Sequence, residues 1–246
     1  MKCILYDLRR AIAGRWFIAA LFATIVALYL SIGPATYSLI DYLESIEWQE
    51  DNFWYSLSDL LILGMQGDFG VLTLPALSAL PFAAQALHEI KSGAIRPAVF
   101  RTGRTAWIMG KAAGCTLSGM LLQGAAVGLL FLILNGLMVC IAGHGFPWGG
   151  NAEFWPIIFR RILCGGIWAG VGCVIALATE TASAAYLAPL CLCYALMMIG
   201  TRFFPEAPML NPMQWVSGNV WLLAVLFAAT VVLQTIFLNR GVRKYA

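Results

Sequence analysis

From Ala112 to Ala142 the chain runs without a single Asp, Glu, Lys or Arg. At 1.5 Å per residue, a helix over that tract is longer than a hydrocarbon core about 30 Å thick, so it must tilt, kink or protrude. Five more apolar runs lie at about 16–33, 69–87, 157–179, 184–200 and 219–238. In lipid, backbone N–H and C=O groups must bond within the segment, so each run reads as a helix. The fold class expected is therefore an all-α integral membrane protein with six transmembrane helices. Composition agrees: 61% of the 246 residues are hydrophobic, 11% are charged and the mean hydropathy is +0.82, against roughly 25% charged in an ordinary soluble domain. No interval between runs is long enough to bury its own core, so residues 1–246 read as one transmembrane domain.

The segments between the runs carry the remaining information. Residues 1–15 have helical periodicity, with Ile4, Leu5, Leu8, Ala11 and Ile12 on one arc and Lys2, Asp7, Arg9 and Arg10 on the other. This is the pattern of an interfacial amphipathic helix. The first span is too long for the apolar region of a signal peptide and is expected to end at Gly33-Pro34. Residues 34–68 are acidic and aromatic, with no Lys or Arg. They read as an extracytoplasmic loop, within which 57–63 is too short to span and is expected along the outer surface. Pro75 and Pro81 should kink the second span.

Residues 88–111, HEIKSGAIRPAVFRTGRTAWIMGK, hold five of the fifteen basic side chains. With both termini on the same side as this island, twelve basic residues gather there: Lys2, Arg9, Arg10, Arg15, Lys91, Arg96, Arg101, Arg104, Lys111, Arg240, Arg243 and Lys244. Arg160, Arg161 and Arg202 are left opposite, with nine of the twelve acids. Short Lys/Arg-rich loops stay cytoplasmic, so the island and both termini are expected in the cytoplasm.

Several chemistries are excluded by what stands at the required positions. His88-Glu89 begins a zinc-protease HExxH, but Ser92 occupies the second histidine position. Thr116 stands where the glycine before an intramembrane serine nucleophile, Ser118, would be needed. The two histidines fall on opposite sides, so no histidine-based metal cluster is expected. No P-loop occurs, and no nucleic-acid partner is expected. The seven cysteines lack a CxxC pair and read as small buried hydrophobes. Ionisable residues are scarce in the span centres. The polar groups at depth, Gln85, Gln123 and Asn135, suit interhelical hydrogen bonds as well as substrate contact. Gly110, Gly114 and Ser118, one turn apart, suit close helix packing.

The island itself resembles the cytoplasmic loop of type-2 ATP-binding-cassette (ABC) transporter permeases. The likeness lies in Glu89-x3-Gly93, Ile95-Arg96, Arg104 and Lys111, with Ala94 where Thr is usual, Gly103 where Ser or Thr is usual and Arg101 where Pro is usual. It extends to the six-span layout, the amphipathic N-terminus and the chain length. The resemblance implies a coupling helix over Pro97–Thr105, with Val99 and Phe100 on one surface and Arg101 and Arg104 toward solvent or an acidic partner. Glu89, Gly93, Arg96, Arg101, Arg104 and Lys111 would form the surface coupled to a separately encoded ATPase. Glu89 is expected to bond an island Arg or the backbone at the start of the short helix. ATP and Mg would sit on that partner, a second permease subunit would complete the pathway, and this chain would not be an enzyme. The implied setting is a bacterial cell membrane, and the implied cargo a hydrophobic, peptide or lipid-like molecule for export. A non-transporting membrane scaffold or sensor, and less readily a membrane enzyme, remain as alternatives.

Overall fold

The computed structural model describes residues 2–45, 56–142, 151–207 and 210–245. The described residues are helical, with no strand: α1 (Lys2–Ile12), α2 (Arg15–Ser45), α3 (Leu57–Gln66), α4 (Asp68–Ala79), α5 (Gln85–Lys91), α6 (Ile95–Thr102), α7 (Arg104–Ala142), α8 (Phe154–Thr179), α9 (Ala184–Phe203) and α10 (Val220–Tyr245). Five stretches are long and apolar enough to cross a bilayer: Arg15–Gly33, Arg104–Leu137, Phe154–Thr179, Ala184–Phe203 and Val220–Lys244. The pair α3 and α4, bent by 64°, supplies a sixth as a broken span or forms a re-entrant loop. The protein is thus an all-α, membrane-embedded bundle.

α7 is the central strut, packing on α8, α1, α2 and α10. Toward one end of the bundle, Leu28, Ile32, Leu60, Leu61, Leu130 and the stacked pair Trp168–Trp215 form one apolar core. Toward the other, Phe82, Leu87, Ile95, Trp107, Leu238 and Val242 form a second. The polar contacts sort in the same way, with Arg160–Glu153 and Asn151–Asp59 at the first end and Lys244–Glu180 and Arg104–Asn239 at the second.

Where α7 crosses α8 the two backbones meet directly. A Cβ built on Gly165 would lie 2.6 Å from the Gly119 carbonyl oxygen, and one on Gly119 would strike Gly165. Small residues at a crossing let two backbones meet in this way. The stripe expected to do this does something else. A Cβ built on Gly114 would lie 3.3 Å from Asp7 and Phe82, and Ser118 Oγ, buried, donates to the Cys115 carbonyl at 2.8 Å. Gly110 is also buried.

The structure departs from the sequence reading at several places. α2 continues through Gly33-Pro34 to Ser45. A proline removes one hydrogen bond, and in an apolar medium the remaining backbone groups have no better partners than each other. Residues 57–63 do not lie along the outer surface: Leu57, Leu60, Leu61 and Met65 of α3 are buried in the first core. The polar N-terminus of α3 is closed by a capping box, in which Ser56 Oγ accepts from the Asp59 N–H and the Asp59 carboxylate accepts from the Ser56 N–H. The span expected over 69–87 is two helices, α4 and α5, separated by a turn around Pro81, while Pro75 sits within α4 without ending it. The basic tail is the last turns of α10. Cys140 and Cys191 are exposed, whereas Cys115, Cys164, Cys173 and Cys193 are buried. Glu47 and its neighbours at 46–55 lie outside the described residues, as do the side chains of Asp41 and Glu44 and the segment 143–150 with His144.

Candidate functional site

Two glycines set the shape of the island. Gly93 (φ +75°) follows α5 and Gly103 (φ +82°) follows α6, and both sit in the left-handed region that only glycine enters at low cost. The short helix is therefore Ile95–Thr102 rather than Pro97–Thr105, because Gly103 turns the chain before Arg104 starts α7. Pro97 falls in its first turn, where a missing N–H leaves no bond unmade.

Helical spacing decides which side of α6 is anchored. Ile95 is buried, and Ala98 and Val99, three and four residues on, pack against the second core. Val99 thus faces inward, away from the surface it was expected to share with Phe100. Phe100 is 93% exposed, between the exposed Arg96 and Arg101. Arg104 is partly buried rather than turned to solvent. Its guanidinium donates to the Asn239 side-chain and backbone oxygens, tying the start of α7 to α10.

The other two expected residues, Glu89 and Lys111, meet in a four-charge cluster. Lys111 lies inside α7, 3% exposed, and not at the mouth of a span. Its Nζ donates to Asp7 Oδ1 and to Glu89 Oε1, each at 2.7 Å. The Phe82 and Trp107 rings flank the ammonium, with centroids 5.4 and 5.9 Å away. Glu89 Oε1 also accepts from Gln85 Nε2 at 3.1 Å and from Arg10 at 3.2 Å. Glu89 therefore bonds α7, α1 and its own helix, in place of the island arginine or the start of α6 that was expected. Asp7 is 2% exposed, so the polar side of the α1 wheel does not wholly face water. With the Arg10 guanidinium counted, two carboxylates face two cations, and such balance is the condition for burying charged groups.

Magnitudes separate the contacts. The Arg10–Glu89 pair has a half-exposed guanidinium and is worth about 0–1 kcal/mol. The Lys111 contacts are shielded from water, and breaking a buried pair by deleting one partner costs about 3–5 kcal/mol. The buried lysine is what holds α1, α5 and α7 together. A cleft of about 500 Å³ opens beside it, lined by Tyr6, Asp7, Arg10, His88, Glu89 and Trp107 among others. Among the described residues no group of three His, Cys, Asp or Glu side chains could hold a metal ion.

Sequence reasoning placed Arg161 with the outer charges. It is 1% exposed. Its guanidinium donates to the Met65 carbonyl at 2.7 Å, the Gly70 carbonyl at 3.0 Å and Gln123 Oε1 at 3.1 Å. Gln123 Nε2 in turn donates to Ser78 Oγ at 2.9 Å, so Gln123 is an interhelical bridge. Arg161 thus clamps the break between α3 and α4. The one signal available was an arginine as the fifth residue of an apolar run, with a glutamine at depth in the preceding one.

No family model and no curated protein matches this chain.

Proposed function

We propose that this chain is the membrane subunit of an ATP-driven transporter and that α6 is the helix through which a separate ATPase moves it. On this reading α3 and α4 with α5 form one broken span, giving six spans with both termini and α6 in the cytoplasm, as the distribution of basic residues requires. A second copy or a related subunit completes the pathway. ATP and Mg are held by the ATPase, and the cargo is a hydrophobic, peptide or lipid-like molecule moved outward.

The observation that carries the reading is the exposure of Phe100. A phenyl ring 93% exposed between two arginines, on a helix anchored by its opposite face, is a ready contact for a pocket on a soluble partner. The hinges make such a contact mechanically useful. With Gly93 before α6 and Gly103 after it, a push on α6 is delivered to α5 and to the start of α7, and through the Lys111 cluster to α1. Closure of the partner on ATP would shift the bundle between two arrangements of these helices.

Phe100→Asp is the direct test. The chain should insert, melt at the wild-type temperature and lose the ATP hydrolysis that co-purifies with it from native membranes, by tenfold or more for a central aromatic anchor. Full retention of co-purifying ATPase by Phe100→Asp would remove α6 as the docking element.

A further inference from the structure

At the same end of the bundle as α6, but on its far side from the Lys111 cluster, a cavity of about 540 Å³ opens between the C-terminal turns of α5, α8 and α10. Its walls are apolar, with Ile90, Leu177 and Phe237. Its rim is basic, with Lys91, Arg240 and Arg243. Among the described residues that line it, Glu180 is the one carboxylate, and Lys244 Nζ lies 2.6 Å from it. Among the described residues Lys91, Arg240 and Arg243 have no ion-pair partner. Basic residues in a last helical turn do complement the helix dipole, but that role needs no apolar cavity beneath them.

The register of α10 joins the cavity to the membrane. Leu233 and Ile236 are exposed on the apolar part of the helix. Three to four residues on from them come Phe237 and Arg240, and the next step reaches Arg243 and Gly241. Residues so spaced form one stripe. A chain lying along that stripe would have hydrocarbon beside Leu233 and Phe237 and its polar end among three cations.

We infer that this cavity is a binding site for an anionic phospholipid, its phosphate held by Lys91, Arg240 and Arg243 and the start of its acyl chain against Leu177 and Phe237. The volume suits a headgroup and the upper part of a chain, and basic pockets between spans on a cytoplasmic face have the chemistry for such headgroups. The inference does not depend on the transport reading, since it rests on this cavity alone. It gives the basic tail a function beyond topology, that of fixing α10 against α5 and α8 with a lipid as the bridging element.

The test uses the full chain in detergent, titrated with dioleoyl phosphatidylglycerol or dioleoyl phosphatidylcholine and followed by native mass spectrometry. The wild type should retain phosphatidylglycerol in preference to phosphatidylcholine. Binding should weaken about fivefold for each basic residue removed and about a hundredfold in Lys91→Gln/Arg240→Gln/Arg243→Gln. Ala178→Glu, which adds a carboxylate at the exposed lip of the cavity while leaving the three cations in place, should weaken it as well, and decides the matter if the triple variant fails to fold. Equal retention of the two lipids by the wild type, or of phosphatidylglycerol by wild type and variants, would overturn the assignment. Displacement of the lipid by millimolar inorganic phosphate, bound through the same three residues, would also overturn it by making the site one for a free anion.

Discussion

Arg161→Met will cost the protein the end of the bundle built around the α3–α4 break. The substitution keeps the volume of the side chain and removes the donors, so the Met65 and Gly70 carbonyls and Gln123 Oε1 lose their partner in a site closed to water. Leaving a buried acceptor unmade costs about 1–3 kcal/mol. Three together are of the order of 5 kcal/mol, comparable with a whole native stability of about 5–15 kcal/mol.

The local geometry allows no easy repair. Met65 is among the last residues of α3, whose terminal carbonyls have no helical donor. Gly70 is held from the other side by its N–H donating to Ser31 Oγ at 2.8 Å, and a Cβ there would strike the Gly64 carbonyl. Arg161→Lys keeps the charge but offers a point donor where a planar fork reaches three oxygens, so an intermediate loss is expected. Thermal unfolding in detergent measures both. A wild-type midpoint for Arg161→Met would mean that the α3–α4 break is held by packing alone.

The second large effect is at the other end. Lys111→Met should release α1 from the bundle, because it strands Asp7, whose Oδ2 already lacks a hydrogen-bond partner among the described residues, and leaves Glu89 with only the half-exposed Arg10 and Gln85. Removing one member of a buried pair costs about 3–5 kcal/mol. Glu89→Ala should cost less, about 1.5–3 kcal/mol, since Glu89 keeps some contact with water and only one of its oxygens is engaged. Glu89→Gln retains an acceptor for Lys111 but leaves one positive charge uncompensated, and should fall between Glu89→Ala and the wild type.

The two sites should also separate by readout. Arg161→Met acts on stability. On the proposed transport role, Glu89→Gln should leave a folded chain whose transport falls more than its melting temperature does. The double variant Asp7→Asn/Lys111→Met should be less harmful than the sum of its parts, because the second change removes the charge that the first had stranded. Strict additivity would show that Asp7 and Lys111 do not interact.

What the sequence revealed, and what it did not, follows from the range of each interaction. Helix by helix, the apolar runs announce themselves, and Gly93 marks the break before α6, while the end of α6 at Gly103 was read through to Thr105 although the left-handed backbone there is a local requirement. Asp7 was misplaced because a helical wheel sends polar residues outward, and nothing local tells of a lysine 104 residues away. The separation of 57–63 from the span at 69 was legible, but the burial of α3 was not, because the bend between α3 and α4 depends on carbonyls claimed by Arg161, more than 90 residues on. Phe100 reads in sequence as sharing one surface of the short helix with Val99. Its exposure follows only once Ile95 and Val99 have taken the inward face.

A photo-crosslinking amino acid placed at Phe100, in the full chain and in its native membrane, tests the central claim most directly. The account requires one adduct, with a polypeptide that binds and hydrolyses ATP, formed from position 100 and from Arg101 but not from Val99 on the anchored face. The adduct should be lost when Glu89→Ala loosens the cluster behind α6. A probe at position 100 that captures only lipid, or that labels no ATP-hydrolysing chain while the protein still transports, would contradict it.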